Sequence, residues 1–454
     1  MNNHPLFPVL VQTIETDIAQ LAEFGVDPEP YYERLRGIAA EGSLDALAAY
    51  QEEVWATPTP SSYPYDEPSE PDAIRSAWPE PSTEPFAGTD SELRDRLAGG
   101  WLGRAAGCCL GKPLEMNLDF AQARHVCTAL GGCPPLDYLT SWAPGQFPDP
   151  TGRHPNGRDR DCTKSHIACC PNDDDINYPL TSLICLERHG AEWTAEQLFR
   201  LLADITPYGR LWSSGKSGAR AAMMGLPHPA GQLFGNPIRQ SLGAMIRCDT
   251  WAYVSPGNLR QAAEFALRDA IYTQTRNGIY AGVFWTVALT SVLNGESPPA
   301  ALRTAADYVP PTSKFAAMTA QAFSLAATKS WEEAIGSMYA THSSASVLPT
   351  RFHFNHAIIN SAITMLAVLY GDGDFSRTIG LAVAAGRDTD CNGATAGSVL
   401  GLALGASGIP SHWLEPLHDT YRSDIVGCHD IRFSAIIERT HRLARDMGRF
   451  PVGE

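Results

Sequence analysis

Three short stretches of this chain concentrate oxygen donors. Pro171-Asn172-Asp173-Asp174-Asp175 sets three like charges side by side, and these repel unless water or a cation neutralises them. Gly386-Arg387-Asp388-Thr389-Asp390-Cys391-Asn392 carries two carboxylates two residues apart, and Gly111-Lys112-Pro113-Leu114-Glu115 puts an acid just past a proline. Taken singly, each has an ordinary reading. Asp388 and Asp390 are plausible helix caps, and Asp173 to Asp175 are plausible as a solvated loop. Taken together, acids beside helix termini can meet in the core of a helical bundle. An all-oxygen set favours Mg²⁺ or Mn²⁺ over zinc. Two such ions about 4 Å apart would activate water and orient a substrate. Asp173, Asp174, Asp388 and Asp390 are the leading candidate ligands.

The elements that must position these acids are marked by glycine. Gly99, Gly103, Gly107 and Gly111 recur at every fourth residue, and so do Gly393, Gly397, Gly401 and Gly405. A step of four advances about 40° around a helix, so each set forms one smooth stripe. An interior glycine costs roughly 1 kcal/mol relative to alanine. Such a repeated cost predicts two helices packed backbone to backbone, with an acid near one terminus of each. Thr89-Asp-Ser-Glu92 reads as the capping box that opens the first helix, and Pro113 as its end.

In this order the three stretches resemble the ADP-ribosylglycohydrolase family. Its Gly-x-Pro-x-Glu motif is matched by Gly111 to Glu115. Its Thr-Asp-Asp-Thr-like metal motif is matched by Asn172 to Asp175, and its Gly-Gly-Asp-Thr-Asp-Thr motif by Gly386 to Cys391. The resemblance implies an all-α, compact orthogonal helical bundle holding two magnesium ions. It implies hydrolysis of a glycosidic bond of ADP-ribose, with ADP-ribose or an ADP-ribosylated molecule as partner. Asn172 stands where the family has a hydroxyl residue and Cys391 where it has Thr. Both are ligand positions there, so Asn172 joins the implied metal set and Cys391 does not. Asp173 and Asp174 are the two candidates for the carboxylate that deprotonates the attacking water, with Glu115 positioning the ribose or gating the site. Arg276 to Gly282 is similar to a stretch in a bacterial branch of the family. This adds Asn277, Gly278 and Tyr280 to the expected substrate wall, alongside Gly386, Arg387 and Asn392. Diphosphate is expected on backbone amides near Gly386 and at the start of the second glycine helix. Two alternatives stand beside this reading: an N-glycosidase of the same fold acting on another ribosyl or nucleoside substrate, and a non-catalytic scaffold.

The rest of the 454 residues frames these motifs. Residues 1–56 read as a helical extension, 57–88 as a Pro-rich strap or linker, and 89–454 as the catalytic domain. The segment 57–88 contains Tyr63, Tyr65, Ile74, Trp78 and Phe86, which favour a strap lying on the body over a free linker. A stretch so rich in proline is not expected to form a regular element. Residues 207–240 read as loop, with Lys216, Arg220 and Arg239 as candidate anion contacts. A formal net charge of −16 disfavours nucleic acid and anionic membrane as partners, except for nucleic acid as a modified substrate. No apolar run has the length of a membrane span, no N-terminal signal is evident, and eleven cysteines lack a Cys-x-x-Cys pair. A cytoplasmic protein with reduced thiols is expected.

Overall fold

The computed structural model describes residues 4–81, 84–115, 118–143, 146–147, 160–236, 238–342 and 354–451. Helices account for nearly all the regular structure. Among the described residues the only sheet pairs Thr420–Tyr421 with Ile431–Arg432, antiparallel, with Tyr421 opposite Ile431. Apolar periodicity alone explains many helices, such as Ala195–Ile205 and Phe433–Met447, each with one buried face.

At the centre lie two helices that periodicity does not explain, Asp90–Gly111 and Thr389–Leu404. The first opens with the expected capping box. Thr89 Oγ1 accepts the Glu92 N–H at 3.2 Å, and the Glu92 carboxylate accepts the Thr89 N–H at 2.7 Å. The two helices then face each other glycine to glycine: Gly99 against Gly401, Gly103 against Gly397, Gly107 against Gly393, and Gly111 against Thr389. A Cβ placed on any of these glycines would overlap the opposite backbone carbonyl. The glycines are therefore required by contact rather than by turn geometry. Around this pair pack Asn277–Leu293 and Ala357–Tyr370, nearly all of whose residues are buried, and Phe375–Ala384.

The N-terminal residues form three helices, Leu6–Leu21, Glu29–Glu41 and Leu44–Trp55. They share a small core of their own built on Ile14, Ile18, Leu35, Leu47, Tyr50 and Val54. The Pro-rich segment returns to the main body, burying Ile74, Trp78 and Phe86 in the large core. It does contain one regular turn, Pro71–Arg75. Pro71 sits at its first position, where a missing N–H costs nothing. The loop reading of 207–240 is also corrected, because Ser213–Met223 is a helix. Its glycines lower helical propensity but are needed for packing. Gly215 lies against the Tyr178 ring, and Gly218 against Phe199 and Thr273. No helix among the described residues is long and apolar enough to cross a membrane.

Candidate metal centre

One end of the glycine contact carries the acids. Gly111 is the last residue of its helix and rests on Thr389, so Lys112 and Glu115 emerge beside the start of the second glycine helix. Asp388 and Asp390 flank Thr389, whose hydroxyl donates to Gly111 O at 2.8 Å. The remaining acids come from the helix Asp174–His189, with Asp173 as its N-cap accepting the Asp175 N–H at 3.0 Å. The chain just before it is pinned by a parallel bridge between Cys170 and Tyr421. Tyr421 Oη lies 2.9 Å from Asp173 O and 2.7 Å from Asn177 Oδ1, which fixes the first turn of that helix.

The acids converge. Carboxylate oxygens of Glu115, Asp388 and Asp390 lie within 4.8 Å of one another. Lys112 Nζ joins them to the third stretch, at 2.6 Å from Glu115, 2.8 Å from Asp173 and 2.9 Å from Asp390. Asp388 occupies the N-cap position of its helix but makes no side-chain cap bond. Its Oδ1 is buried with no hydrogen-bond partner. A buried carboxylate oxygen left bare is costly unless a cation meets it. That settles against simple capping for Asp388. Burial, then Asp390 and Glu115 nearby, pushes the Asp388 carboxyl well above the usual range. Burial and Asp173 push Asp174 up to about 7. Burial acts the same way on Asp390, but Lys112 and hydrogen bonds with Asp388 and Glu115 together hold its carboxyl below the usual value. The donor set, all oxygen and anionic, fits a hard divalent ion.

Asp175, the third acid of the run, has a different role. It is fully buried and ion-paired with Arg104 at 2.8 Å, and Arg104 also pairs with Asp249 at 2.8 Å. Cys391 is buried among Asp175, Asp388 and Asp390. Burial, then these carboxylates, pushes its thiol well above its ordinary value. A neutral thiol of that kind is a poor partner for a hard cation.

Several residues expected at the site are turned elsewhere. Asn172 Oδ1 accepts from Asn177 Nδ2 and from the Asp424 N–H, both at 2.8 Å, and so is taken up within the protein. Asn392 Nδ2 donates to Asn360 Oδ1 at 2.8 Å. Asn277 donates to Glu67 and Gln240 at 2.9 and 2.8 Å, and accepts the Phe315 N–H at 3.1 Å. Tyr280 donates to Pro68 O at 2.5 Å, and Gly278 packs on Gln274 and Arg239. Asn277 and Tyr280 therefore hold the strap, and Gly278 packs on the segment beneath it. Of the backbone amides expected to bind diphosphate, those around Gly386 are also occupied. Gly386 N donates to Val383 O, Arg387 N to Leu118 O and Asp388 N to Asn360 Oδ1, at 3.2, 2.8 and 3.3 Å. The Arg387 guanidinium lies over the Tyr339 ring at 5.0 Å. Of the candidate anion contacts, Arg239 pairs with Asp17, Arg220 donates to the Gly235 carbonyl and Lys216 lies over Tyr208.

Three residues at the centre escaped the sequence reading. Lys112 was visible only as the open position of Gly-x-Pro-x-Glu. Asn360 holds both the Asp388 N–H and the Asn392 amide, and nothing in its apolar helix marks it. Tyr421 comes from an irregular stretch with no motif.

A helical body built on a glycine contact, with carboxylates gathered at its end, is the frame against which the comparisons with known proteins stand. The ADP-ribosylglycohydrolase family model matches residues 89–445, and the chain belongs to that family. Among curated proteins none matches. A solved structure described as an ADP-ribosylglycohydrolase-related protein complex is similar at 18% identity, with a TM-score of 0.46. The match covers 79% of this chain and 99% of that one.

Proposed function

We propose that the chain is a divalent-cation-dependent hydrolase that cleaves the glycosidic bond between ADP-ribose and an acceptor. The observation that carries this reading is the convergence of Glu115, Asp173, Asp174, Asp388 and Asp390, with Asp388 Oδ1 buried and bare. Asp173, Asp174, Asp388 and Asp390 would hold Mg²⁺, with Mn²⁺ as a substitute. When bound, the metal supplies a Lewis acid that fixes the ribose hydroxyls and acidifies water. The protein's own groups supply the rest. Asp174 is half-buried at the rim of the cluster, and we assign it as the base that takes a proton from the attacking water. Asp173 is held by the Asp175 N–H and Lys112 and keeps a fixed orientation. Glu115 faces the same space and is positioned to accept from a ribose hydroxyl. The anomeric carbon develops oxocarbenium character as the bond breaks, which the surrounding carboxylates favour electrostatically.

The test is release of ADP-ribose from arginine-, serine- and nucleic-acid-linked substrates with Mg²⁺ present and after chelation. Release from at least one of them that stops on chelation is expected. Release from none would end this reading. The internal pairing of the Gly386, Arg387 and Asp388 amides favours a second reading, a ribosyl N-glycoside without a diphosphate. Hydrolysis of plain nucleosides but of no ADP-ribosyl compound would select it.

A further inference from the structure

Lys112 is placed as a cation rather than as a surface side chain. Its backbone follows Gly111, whose carbonyl is tied to Thr389 by the 2.8 Å hydroxyl bond. Its side chain keeps only 22% exposure, and the ammonium lies among carboxylates from three separate stretches. An ammonium has three N–H donors. Here Glu115 Oε2, Asp173 Oδ2 and Asp390 Oδ2 each lie within 2.9 Å of the nitrogen. The ammonium donates to Glu115 and Asp390 and meets Asp173 as an ion pair, leaving Asp173 Oδ2 without a hydrogen bond. Oxygens from several carboxylates converging on one point would equally suit a hard divalent ion completed by water. What remains is a second position. Asp388 keeps its bare Oδ1, and Glu115, Asp388 and Asp390 offer oxygens within 4.8 Å of one another.

We propose that Lys112 is a built-in cation that fills one of the two cation positions of this acid cluster, so that the chain takes up a single divalent ion, held by Glu115, Asp388 and Asp390. This inference rests on the metal reading above and revises its ligand set, with Asp173 given over to Lys112 and Glu115 taken as a ligand in place of its ribose contact. A tethered ammonium competes at a high effective concentration. An incoming second ion would have to break two charge-assisted hydrogen bonds and an ion pair at once. The tether also gives the cluster permanent positive charge where Asp173 and Asp390 approach each other.

The test is a count of bound Mn²⁺ on the full chain. The protein is stripped with a chelator, titrated with Mn²⁺ by calorimetry, and examined by electron paramagnetic resonance at saturation. Wild type is expected to bind one ion per chain, with the spectrum of an isolated Mn²⁺. Lys112→Met and Lys112→Ala, checked for folding by circular dichroism, are expected to bind two, with the spectrum of an exchange-coupled pair. Two coupled ions in wild type would overturn the inference and leave the metal reading standing. One ion in the folded variants as well as in wild type would also overturn it. No ion in any of the three proteins would sink the metal reading with it. Should both variants fail to fold, the wild-type count still decides.

Discussion

Two contacts in this molecule run between segments distant in sequence, and they are made of opposite materials. The contact between Asp90–Gly111 and Thr389–Leu404 has almost no side chains in it; backbone meets backbone at four successive turns. The contact between the N-terminal part and the body is made of charged and amide side chains. Asp17 pairs with Arg239 and bonds Gln51 and Trp55, and Gln240 donates to Glu23. Glu67 accepts from Asn277, Tyr63 and the Lys314 N–H. Arg276 spans the join, with its guanidinium 3.9 Å from the Phe24 ring centroid and its φ at 46°. The first contact tolerates no added atom anywhere along it. The second depends on particular pairs and tolerates change between them. Only the first leads directly into the acid cluster.

The sharpest way to break this contrast is to add atoms to the glycine contact. Gly107→Leu or Gly397→Leu should cost more than about 3 kcal/mol, because the obstructing atom is a backbone carbonyl that cannot rotate away. Unchanged urea midpoints for both would show that the helices do not meet through these faces. Next in size is Asp390→Asn at the end of that contact. The wild type should melt higher in saturating Mg²⁺, and this variant should lose both that rise and hydrolysis. A full Mg²⁺ response in the variant would detach the glycine contact from the proposed centre. On the other side, Glu67→Ala leaves buried donors on Asn277 and Lys314 without their acceptor, at a cost of about 1–3 kcal/mol. Its Mg²⁺ response, read as the melting shift, should match wild type. The smallest effect is expected for Tyr280→Phe, which removes one bond to Pro68 O and costs about 1 kcal/mol. If activity collapsed in that variant with stability intact, Tyr280 would face substrate after all and the contrast would fail.

The same contrast explains what could be read from the chain. The glycine pitch and the acids beside it were legible because a close backbone contact leaves a periodic trace that almost nothing else produces. The capping box at Thr89 was legible for a similar reason, as a local signal with a fixed spacing. The strap contacts of Asn277 and Tyr280 were not legible, because an amide or hydroxyl at a helix start looks the same whether it meets a ligand or a distant strap. Only tertiary structure shows that Glu67 and Pro68 are waiting there. The helix Ser213–Met223 was hidden by glycines whose purpose, room for Tyr178 and Phe199, is likewise tertiary. The Phe120–Leu130 helix was simply overlooked, although Asp119 and Gln122 form a complete capping box before it.

The glycine pitch also acts as a ruler. Each notch on one helix accepts a carbonyl of the other, so the pair can hold only registers that differ by whole turns. A slip of one turn would carry Glu115 about 5 Å past Asp388 and would drive Gly111 and Thr389 out of contact. Intermediate positions are blocked by the same overlap that forbids a side chain. The register of the two helices that lead into the acid cluster is thus graduated in helical turns. Carboxylates mounted on loops would spread apart when their counter-charge is removed. Here they are held at a length set several turns away, by residues that carry no chemistry at all.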